Sequence, residues 1–501
     1  MNKNSIEIPV YIEDIINKLE KAGFEAFVIG GCVRDILRDK DPKDWDITTN
    51  AKPEEILKVF PDGKYENNFG TVLVFYEKKD FKDVIEVTTY RSEQGYRDRR
   101  RPDEVTFEKD LDKDLSRRDL TVNAMAMKSK KSKIELSENI KERHIKEVDD
   151  YFVIDLFGGM KDIDKRIIRA VGEPMERFKE DSLRMMRALR LAVELDFELE
   201  PKTGRAITKM AGGLKFIANE RIKDELIKIL KSENAYKGIK MLYEHKLLQY
   251  ILPELEAGVG VKQDRHHVYT VFEHNLLSLK NCPSKDWRVR FSALTHDIAK
   301  PQTKKIINGI ATFYNHEYLG AKIVKKITKR LKFSNEDSLK IFSLVKAHMF
   351  YYNVGEVTES SVRRLIKKVG EENLKDLIDL RVADRLGSGV PKAKPYKLRH
   401  LEYMMKKVRK DPISVKMLKM NGDILIKELK LEPGPKIGAI MDVLLSEVLD
   451  DPKLNTKEYL LERSRELEKE DLDKLRILAK DKIKEEREKE DKGIKEEFWV
   501  K

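Results

Sequence analysis

Gly30-Gly31-Cys32-Val33-Arg34-Asp35, followed by Asp44-Trp45-Asp46-Ile47-Thr48, is the stretch on which the reading of this chain turns. The first string follows a short apolar run, Ala26 to Ile29, that reads as a buried strand, and it leads into a helical pattern from Ile36 to Arg38. Two glycines between a strand and a helix let the backbone approach a phosphate, with N–H groups and a helix N-terminus aimed at it. Asp44 and Asp46 flank Trp45 in a β-like run, Asp44 to Ile47, so a period of two is expected to put both carboxylates on one face. Such a pair repels itself unless a cation sits between its members, and magnesium is the usual hard cation for an oxygen site. Glu86 adds a third carboxylate inside the run Val84 to Thr89, where a charge needs a reason. Two metals held this way activate a hydroxyl and stabilise a pyrophosphate leaving group. Each feature alone has a plainer reading, as a tight turn, a pair of exposed turn acids or an edge-strand charge.

Outward from this stretch, Ile12, Ile15, Ile16 and Leu19 recur at helical spacing and Gly23 suits the helix end. Pro53 suits the first turn of another helix, and Thr71 to Tyr76 and Val84 to Thr89 are β-rich. A small mixed α/β module is expected to end near Gly158-Gly159, with the polar segment Lys128 to Asp150 as an inserted loop or hairpin. From Pro174 onward the pattern is helical, with no convincing strand. Clusters of Gly and Pro at Pro253 to Gly260 and Gly387 to Pro395 mark boundaries. Beyond Lys474, alternating Lys and Glu read as a solvated helical tail. The expected fold class is α+β: a head at 1–157, a helical neck at 158–258, a further helical domain at 259–390 and a helical tail at 391–501.

Composition bounds the function. The chain has 501 residues with 101 Lys plus Arg against 89 Asp plus Glu, a formal charge of +12. No apolar run approaches the roughly 20 residues of a membrane-spanning helix, and Met1 to Ile8 carries no secretory core. Cys32 and Cys282 make neither a disulfide framework nor an all-cysteine metal site. A soluble, cytoplasmic, multidomain protein is expected, with no membrane partner. Its basic excess permits a polyanionic partner without requiring one.

Taken together, the glycine pair and the three carboxylates resemble the nucleotidyltransferase fold of the polymerase-β superfamily. More narrowly, G-G-x-V-R-D followed by D-W-D-I-T is similar to class II tRNA nucleotidyltransferases, the CCA-adding enzymes, and to the related bacterial poly(A) polymerases. Arg117-Arg118-Asp119-Leu120-Thr121-Val122-Asn123-Ala124-Met125 is similar to the family's R-R-D-F-T-x-N-A-M element, with Leu120 where Phe is usual. The resemblance implies catalytic roles for Asp44, Asp46 and Glu86, with Mg²⁺ on Asp44 and Asp46. It implies nucleotide contacts from Gly30, Gly31, Arg34, Arg118, Asp119 and Asn123. Tyr90 to Glu104, with four arginines from Arg97 to Arg101, looks like the family's flexible loop.

Glu180-Asp181-Ser182-Leu183-Arg184 is read on a helix running to about Leu195, where Asp181 and Arg184 are i, i+3 neighbours. Such a pair is ordinarily a surface ion pair worth a few tenths of a kcal/mol. The resemblance gives E-D-x-x-R another role, selecting the nucleotide, with Glu180 orienting the pair and Arg187 also at the nucleotide. Cytosine and adenine both present an amino donor beside a ring-nitrogen acceptor. A carboxylate accepts from the first and a guanidinium donates to the second. Uracil and guanine present the reverse order and leave both charges unpaired. Glu220-Arg221, Glu225 and Lys228 resemble a family helix and are assigned to supporting the pocket.

Among 9 histidines, His274, His296, His316 and His348, with His296-Asp297 adjacent and Asp384 further on, form a second constellation, and His267 is a less certain neighbour. The order H…HD…H…H…D resembles HD-domain metal phosphohydrolases. Imidazole plus carboxylate suits Mn, Ni, Fe or Zn better than Mg. The implied activity is template-independent transfer of CMP and AMP from CTP and ATP to the 3′ end of tRNA. Alternatives are an A-adding or CC-adding enzyme, a poly(A) polymerase, an HD phosphohydrolase that only binds nucleotides in its first half, and a non-catalytic RNA-binding module. The Tyr90 to Glu104 loop argues against the CC-only form, and intact Asp44 and Asp46 argue against the last.

Overall fold

The computed structural model describes residues 8–67, 70–78, 81–94, 104–131, 140–264, 268–350, 352–409, 415 and 418–500. The chain divides into two compact units, residues 1–346 with 386–389, and residues 347–385 with 390–501.

The first unit opens with α1 (Val10–Lys21), which buries Ile12, Ile15, Ile16 and Leu19 as its periodicity requires. Gly23, at φ +91°, turns the chain into β1 (Ala26–Ile29), buried along its whole length. Then come α2 (Gly31–Leu37), β2 (Asp46–Thr49), α3 (Pro53–Val59), β3 (Lys64–Asn67), β4 (Thr71–Lys78) and β5 (Phe81–Thr89). A two-stranded ribbon, β6 (Arg91–Gln94) with β7 (Glu104–Phe107), precedes α4 (Leu111–Ser116), β8 (Met125–Ser129), β9 (Ile145–Val148) and β10 (Tyr151–Asp155). The main sheet runs β3-β4-β5-β2-β1-β8-β10-β9. Its neighbours pair antiparallel except β2 and β5, which run parallel and place Asp46 opposite Glu86.

Two expectations need correction here. The strand begins at Asp46, not Asp44, because β1 turns off the sheet at Gly30; β1 pairs only up to Ile47, and Asp44 lies in the bend before the strand. Lys128 is not loop: it sits buried in β8, 2.7 Å from Glu20 and over the ring of Phe27. The expected hairpin is β9–β10, and residues 132–139 lie outside the described residues.

Helices follow: α5 (Gly159–Asp164), α6 (Pro174–Glu180), α7 (Arg184–Leu195), α8 (Pro201–Met210), α9 (Asn219–Lys231), α10 (Ala235–Glu244), α11 (Leu248–Ile251) and α12 (Pro253–Glu256). After these come α13 (Val271–Lys280), α14 (Trp287–Thr295), α15 (Lys300–Thr303), α16 (His316–Arg330) and α17 (Asn335–Ala347). The segment is not free of strand. Glu198–Leu199 pairs in parallel with Ile167–Ile168, and Lys305–Ile307 with Ile310–Thr312 makes a hairpin. That hairpin turns on Asn308 and Gly309, both at positive φ, the Asn-Gly signature of a tight two-residue turn.

The second unit is helical: α18 (Glu359–Val369), α19 (Leu374–Gly387), α20 (Tyr396–Arg409), α21 (Gly422–Leu429), α22 (Pro435–Asp450), α23 (Lys457–Leu467) and α24 (Leu472–Glu497). The charged tail helix is not merely solvated. α24 packs along α22 and buries Leu475 and Ile494. Among the described residues no helix is long and apolar enough to cross a membrane.

Candidate functional site

Gly30 ends β1 at φ +89°, ψ −132°, a conformation that in practice belongs to glycine. A Cβ there would lie 3.0 Å from Arg118 Nη1 and 3.6 Å from Asp46 Oδ2, so the turn runs directly against both side chains. A cavity of about 380 Å³ opens at this point. Gly30, Gly31, Asp46, Arg118, Asp119, Asn123, Asp181, Arg184 and Arg187 all line it, together with Arg91 and Arg117. Five arginines thus face three aspartates, a balance suited to a polyphosphate.

Most of these groups are held by partners. Arg34 clamps Asp35 through Nε and Nη2, both at 2.9 Å, and donates from Nη1 to Asn123 Oδ1 at 2.7 Å. Asp114, fully buried under the cavity, takes bonds from Arg117 and Arg118. Burial pushes its carboxyl up, and the two guanidiniums more than offset that, leaving it below the ordinary value. Asp119 accepts from Arg187 Nε at 2.6 Å and from the Leu120 N–H at 2.9 Å. Burial raises it too, and Arg187 and Arg184 bring it below the usual range. Arg118 Nε is buried with no hydrogen-bond partner, a donor left over beside the turn.

Of the three candidate metal acids only Asp46 lines the cavity, and Asp46 and Glu86 behave oppositely to Asp114 and Asp119. Desolvation raises Asp46 above an ordinary aspartate, Asp44 adds to the rise, and Arg118 works against it. Glu86 is raised by desolvation and by the charges of Asp46, Glu66 and Asp44. Ile85 and Val87 point into the core, so Glu86 and Asp46 share the open face of the sheet as register partners. Mutual repulsion among acids with too little cationic compensation is the electrostatic condition that a divalent ion relieves. A hard cation between Asp46 and Glu86 would relieve that repulsion, while among the described residues the three acids do not converge into a metal-holding group as the histidines do.

Asp181 and Arg184 reach the cavity by another route than expected. The helix is broken: α6 stops at Glu180, Asp181 caps its end and α7 starts at Arg184. The two side chains are not bonded to each other. Arg221 from α9 holds Asp181 with bonds of 2.6 and 3.3 Å, and the Leu183 N–H adds a third at 2.9 Å. Arg184 donates to Glu180 at 2.5 Å and to the Arg117 carbonyl at 3.2 Å. The break comes from Asp181 itself, whose side chain accepts the N–H of Leu183, a local alternative to helix.

The histidine constellation is partly assembled within the first unit. His274 lies in α13, His296 caps α14 with Asp297 next, and His316 opens α16. The Nε2 atoms of His274, His296 and His316 stand 3.2, 3.4 and 3.1 Å from Asp297 oxygens, and His274 and His296 are 3.0 Å apart. Nδ1 of His296 and of His316 lies 2.9 and 2.7 Å from the carbonyl oxygens of Ala293 and Phe313. Donation there leaves Nε2 as the acceptor, the tautomer a metal needs. Burial raises Asp297, but Lys300 and the histidines hold it well below the usual range, so it is a carboxylate. His274, His296 and Asp297 meet the geometry of a metal-holding group, and the donor set fits a borderline divalent ion. His348 and Asp384 belong to the second unit, where Asp384 pairs with Arg381 at 2.5 Å. His267 and Arg97 to Arg101 lie outside the described residues.

Three family models match in chain order: a poly A polymerase head domain over residues 26–169, a "probable RNA and SrmB- binding site of polymerase A" over 196–258, and an HD domain over 270–388. The CCA-adding enzyme of Limosilactobacillus reuteri (strain DSM 20016) is 33% identical over 461 residues, covering 91% of this chain and 96% of the relative. That of Pediococcus pentosaceus is 32% identical over 470 residues, covering 93% of this chain and 100% of the relative. The chain belongs to the CCA-adding enzyme family. The solved structure of the Bacillus stearothermophilus CCA-adding enzyme in complex with CTP has a TM-score of 0.57 and 26% identity, covering 92% of this chain and 98% of that one.

Against this family background, sequence reasoning missed three contributors, Arg117, Arg91 and Lys300. Arg117 lines the cavity, although it stands in the quoted R-R-D string. Arg91 does so from the base of the β6–β7 ribbon. Arg221, expected to support the pocket, does so by bonding Asp181 directly. Lys300 Nζ lies 2.5 Å from Asp297 and 2.7 Å from Gln263 Oε1, buried in the histidine cluster. For Lys300 a signal existed: a lysine one helical turn after an acid.

Proposed function

We propose that this member of the family adds CCA to the 3′ end of tRNA without a template, transferring CMP and AMP from CTP and ATP and releasing pyrophosphate. The observation that carries the reading is one cavity uniting the glycine turn, Asp46, the R-R-D string and the Asp181–Arg184 selector. The Gly30-Gly31 turn and the N-terminus of α2 cradle the triphosphate, with Arg118 supplying a donor. Asp44, Asp46 and Glu86 would hold Mg²⁺, which when bound lowers the barrier by stabilising charge on the transferring phosphate and leaving group. Asp119, fixed by Arg187, accepts from the ribose. The chain's other task is orientation, bringing the tRNA hydroxyl in line with the α-phosphorus.

Base selection follows from what Asp181 and Arg184 have left. A carboxylate has about four acceptor positions and three are used at Asp181, leaving one for an exocyclic amino group. Arg184 retains N–H donors beyond those given to Glu180 and to the carbonyls of Arg117 and Arg177, enough for a ring nitrogen. Cytosine and adenine satisfy both; uracil and guanine strand both, at about 1–3 kcal/mol per buried group. The test supplies each NTP singly with Mg²⁺ to tRNA transcripts lacking CCA, to transcripts ending in CC and to unrelated RNA. Two cytidines from CTP on transcripts lacking CCA, and one adenosine from ATP on transcripts ending in CC, with no further addition, are expected; A on CC-ended tRNA with no addition of C to the shorter transcripts, or long A tails on any RNA, sinks the reading in favour of an A-adding enzyme or a poly(A) polymerase.

The histidine cluster supports a second activity in the same chain, a metal-dependent phosphohydrolase with Mn, Ni, Fe or Zn on His274, His296, Asp297 and His316. Elemental analysis of purified protein is expected to find one such metal, absent from Asp297→Ala, while Asp44→Ala with Asp46→Ala abolishes addition and spares hydrolysis. The proposed organisation is head 1–157, neck 158–258, HD domain 259–390 and tail 391–501. The two buried thiols, Cys32 and Cys282, suit the cytoplasm.

A further inference from the structure

Beneath the nucleotide cavity, Asp114 sits in α4 with its side chain wholly shut off from solvent. Leu111 and Leu115 of the same helix are buried in one cluster with Phe27 and Ile29 of β1 and with Tyr90, and this apolar seat fixes where α4 runs. Arg117 and Arg118 stand at i+3 and i+4 from Asp114, the two spacings that bring side chains onto one face. Each takes one oxygen. Arg117 donates to Oδ1 from Nε at 2.9 Å and from Nη2 at 2.5 Å, and Arg118 donates to Oδ2 from Nη2 at 3.2 Å.

Two guanidiniums on adjacent residues repel, and with no anion between them they swing apart. A carboxylate with an oxygen for each turns both the same way. Both arginines line the cavity, and Asp114 does not. Nη1 of Arg118 lies against the Gly30 turn, 3.0 Å from where a Cβ would stand, and its Nε is unspent. Two positive charges over one negative leave a surplus positive charge on the open side. Burial raises the Asp114 carboxyl, but the two arginines bring it below the ordinary value, so it stays ionised beneath them. Stability alone explains the arrangement poorly, because apolar side chains of similar volume often replace buried ion pairs without loss. Orientation explains it: donors fixed before an anion arrives need no reorganisation when it does.

We propose that Asp114 is a positioning residue for nucleotidyl transfer, holding Arg117 and Arg118 toward the triphosphate so that the cradle is set before CTP or ATP binds. The proposal rests on the nucleotidyl transfer argued above, and it names the group that orients that site's arginines. Asp114 acts on the part of the nucleotide that CTP and ATP share, so it has no say in the base. A second route from α4 toward the base runs through the main chain, where the Arg117 carbonyl accepts from Arg184 Nη2 at 3.2 Å. That bond needs no contribution from the Asp114 side chain.

The test uses the full chain with Asp114→Asn, which keeps the shape and removes the charge; its amide has one oxygen, so it can hold only one of the two arginines. At a temperature where circular dichroism shows the variant folded, kcat/KM for CTP and for ATP is expected to fall alike, by about tenfold or more. KM for tRNA and the preference for CTP over UTP should stay within about twofold of wild type, a pattern that general loosening of the fold would not give. Affinity for inorganic triphosphate, measured by calorimetry without tRNA, should fall as well. In a chain already carrying Arg118→Met, the same change should cost at least about threefold less, because part of its effect runs through that arginine. Wild-type turnover and triphosphate affinity in Asp114→Asn overturn the proposal. So does a loss confined to tRNA or to base preference, or full additivity with Arg118→Met. If Asp114→Asn misfolds, Asp114→Glu, which keeps the charge and displaces it, must weaken triphosphate binding for the proposal to stand. A chain whose triphosphate affinity depends on Asp114 yet which adds something other than CCA would remove the CCA reading and keep this role.

Discussion

At the scale of single residues, Gly30 carries the most consequence for the least mass. Alanine there must hold a backbone that in practice belongs to glycine, at roughly 1–3 kcal/mol, and its Cβ crowds the tip of Arg118. Gly30→Ala is expected to lower kcat/KM for CTP and ATP at least tenfold with an unchanged circular-dichroism spectrum. Asp46 and Glu86 give a pH prediction. Both sit above ordinary values of 3.8 and 4.5, so they take up protons while other acids are still ionised. Addition should therefore fall away, as pH drops, above pH 3.8, and more Mg²⁺ should move that acid limb lower because the cation competes with the proton. Rate profiles at two Mg²⁺ concentrations check this; a limb indifferent to Mg²⁺ would count against the carboxylate metal site. Legibility at this scale was high where chemistry demands a residue type. Gly30, Asp46, Asp119 and Arg184 were all readable from spacing and resemblance, and all line one cavity. Arg91 was not, nor was the particular partner of Arg221, because an arginine's partner depends on which distant element is packed beside it.

At the scale of elements, local patterns located helices well and their interruptions poorly. The periodicity of α1 survives intact, whereas the break at Asp181 depends on a side chain capturing the Leu183 N–H, which no hydrophobic period records. Asp44 fell outside its expected strand for a related reason: a strand lasts only as long as its neighbour, and β1 leaves the sheet at Gly30. The hairpin at Asn308-Gly309 was legible and was passed over under a helical surrounding. Packing between elements supplies another test. Arg290, buried in α14, donates to the carbonyls of Ser284, Leu230 and Ser232 at 2.8–2.9 Å, fastening α14 to the end of α9. Arg290→Met leaves those three acceptors unmet and should cost about 3 kcal/mol, read as an earlier denaturant midpoint.

At the scale of the molecule, two units with separate apolar clusters imply separable stability. Leu444, fully buried in the cluster of the second unit, can be cut to alanine at a cost of about 2–5 kcal/mol. Hydrogen exchange should quicken across α22 and α24, while KM for CTP stays put because every residue lining the nucleotide cavity belongs to the first unit. Domain order was visible in composition and motif. The tail was misjudged because burial of Leu475 and Ile494 along a charged helix needs only a few apolar positions, too sparse to stand out of a lysine–glutamate background. The parallel pairing of β2 with β5 has an outcome of its own. Asp46 and Glu86 are far apart in the chain, yet their separation is set by the rungs of one ladder. So long as α3, β3 and β4 keep their places, polypeptide spliced into the exposed turn at Pro61 and Asp62 leaves the gauge of these two acids unchanged, and that turn is where an affinity tag or reporter domain can be inserted.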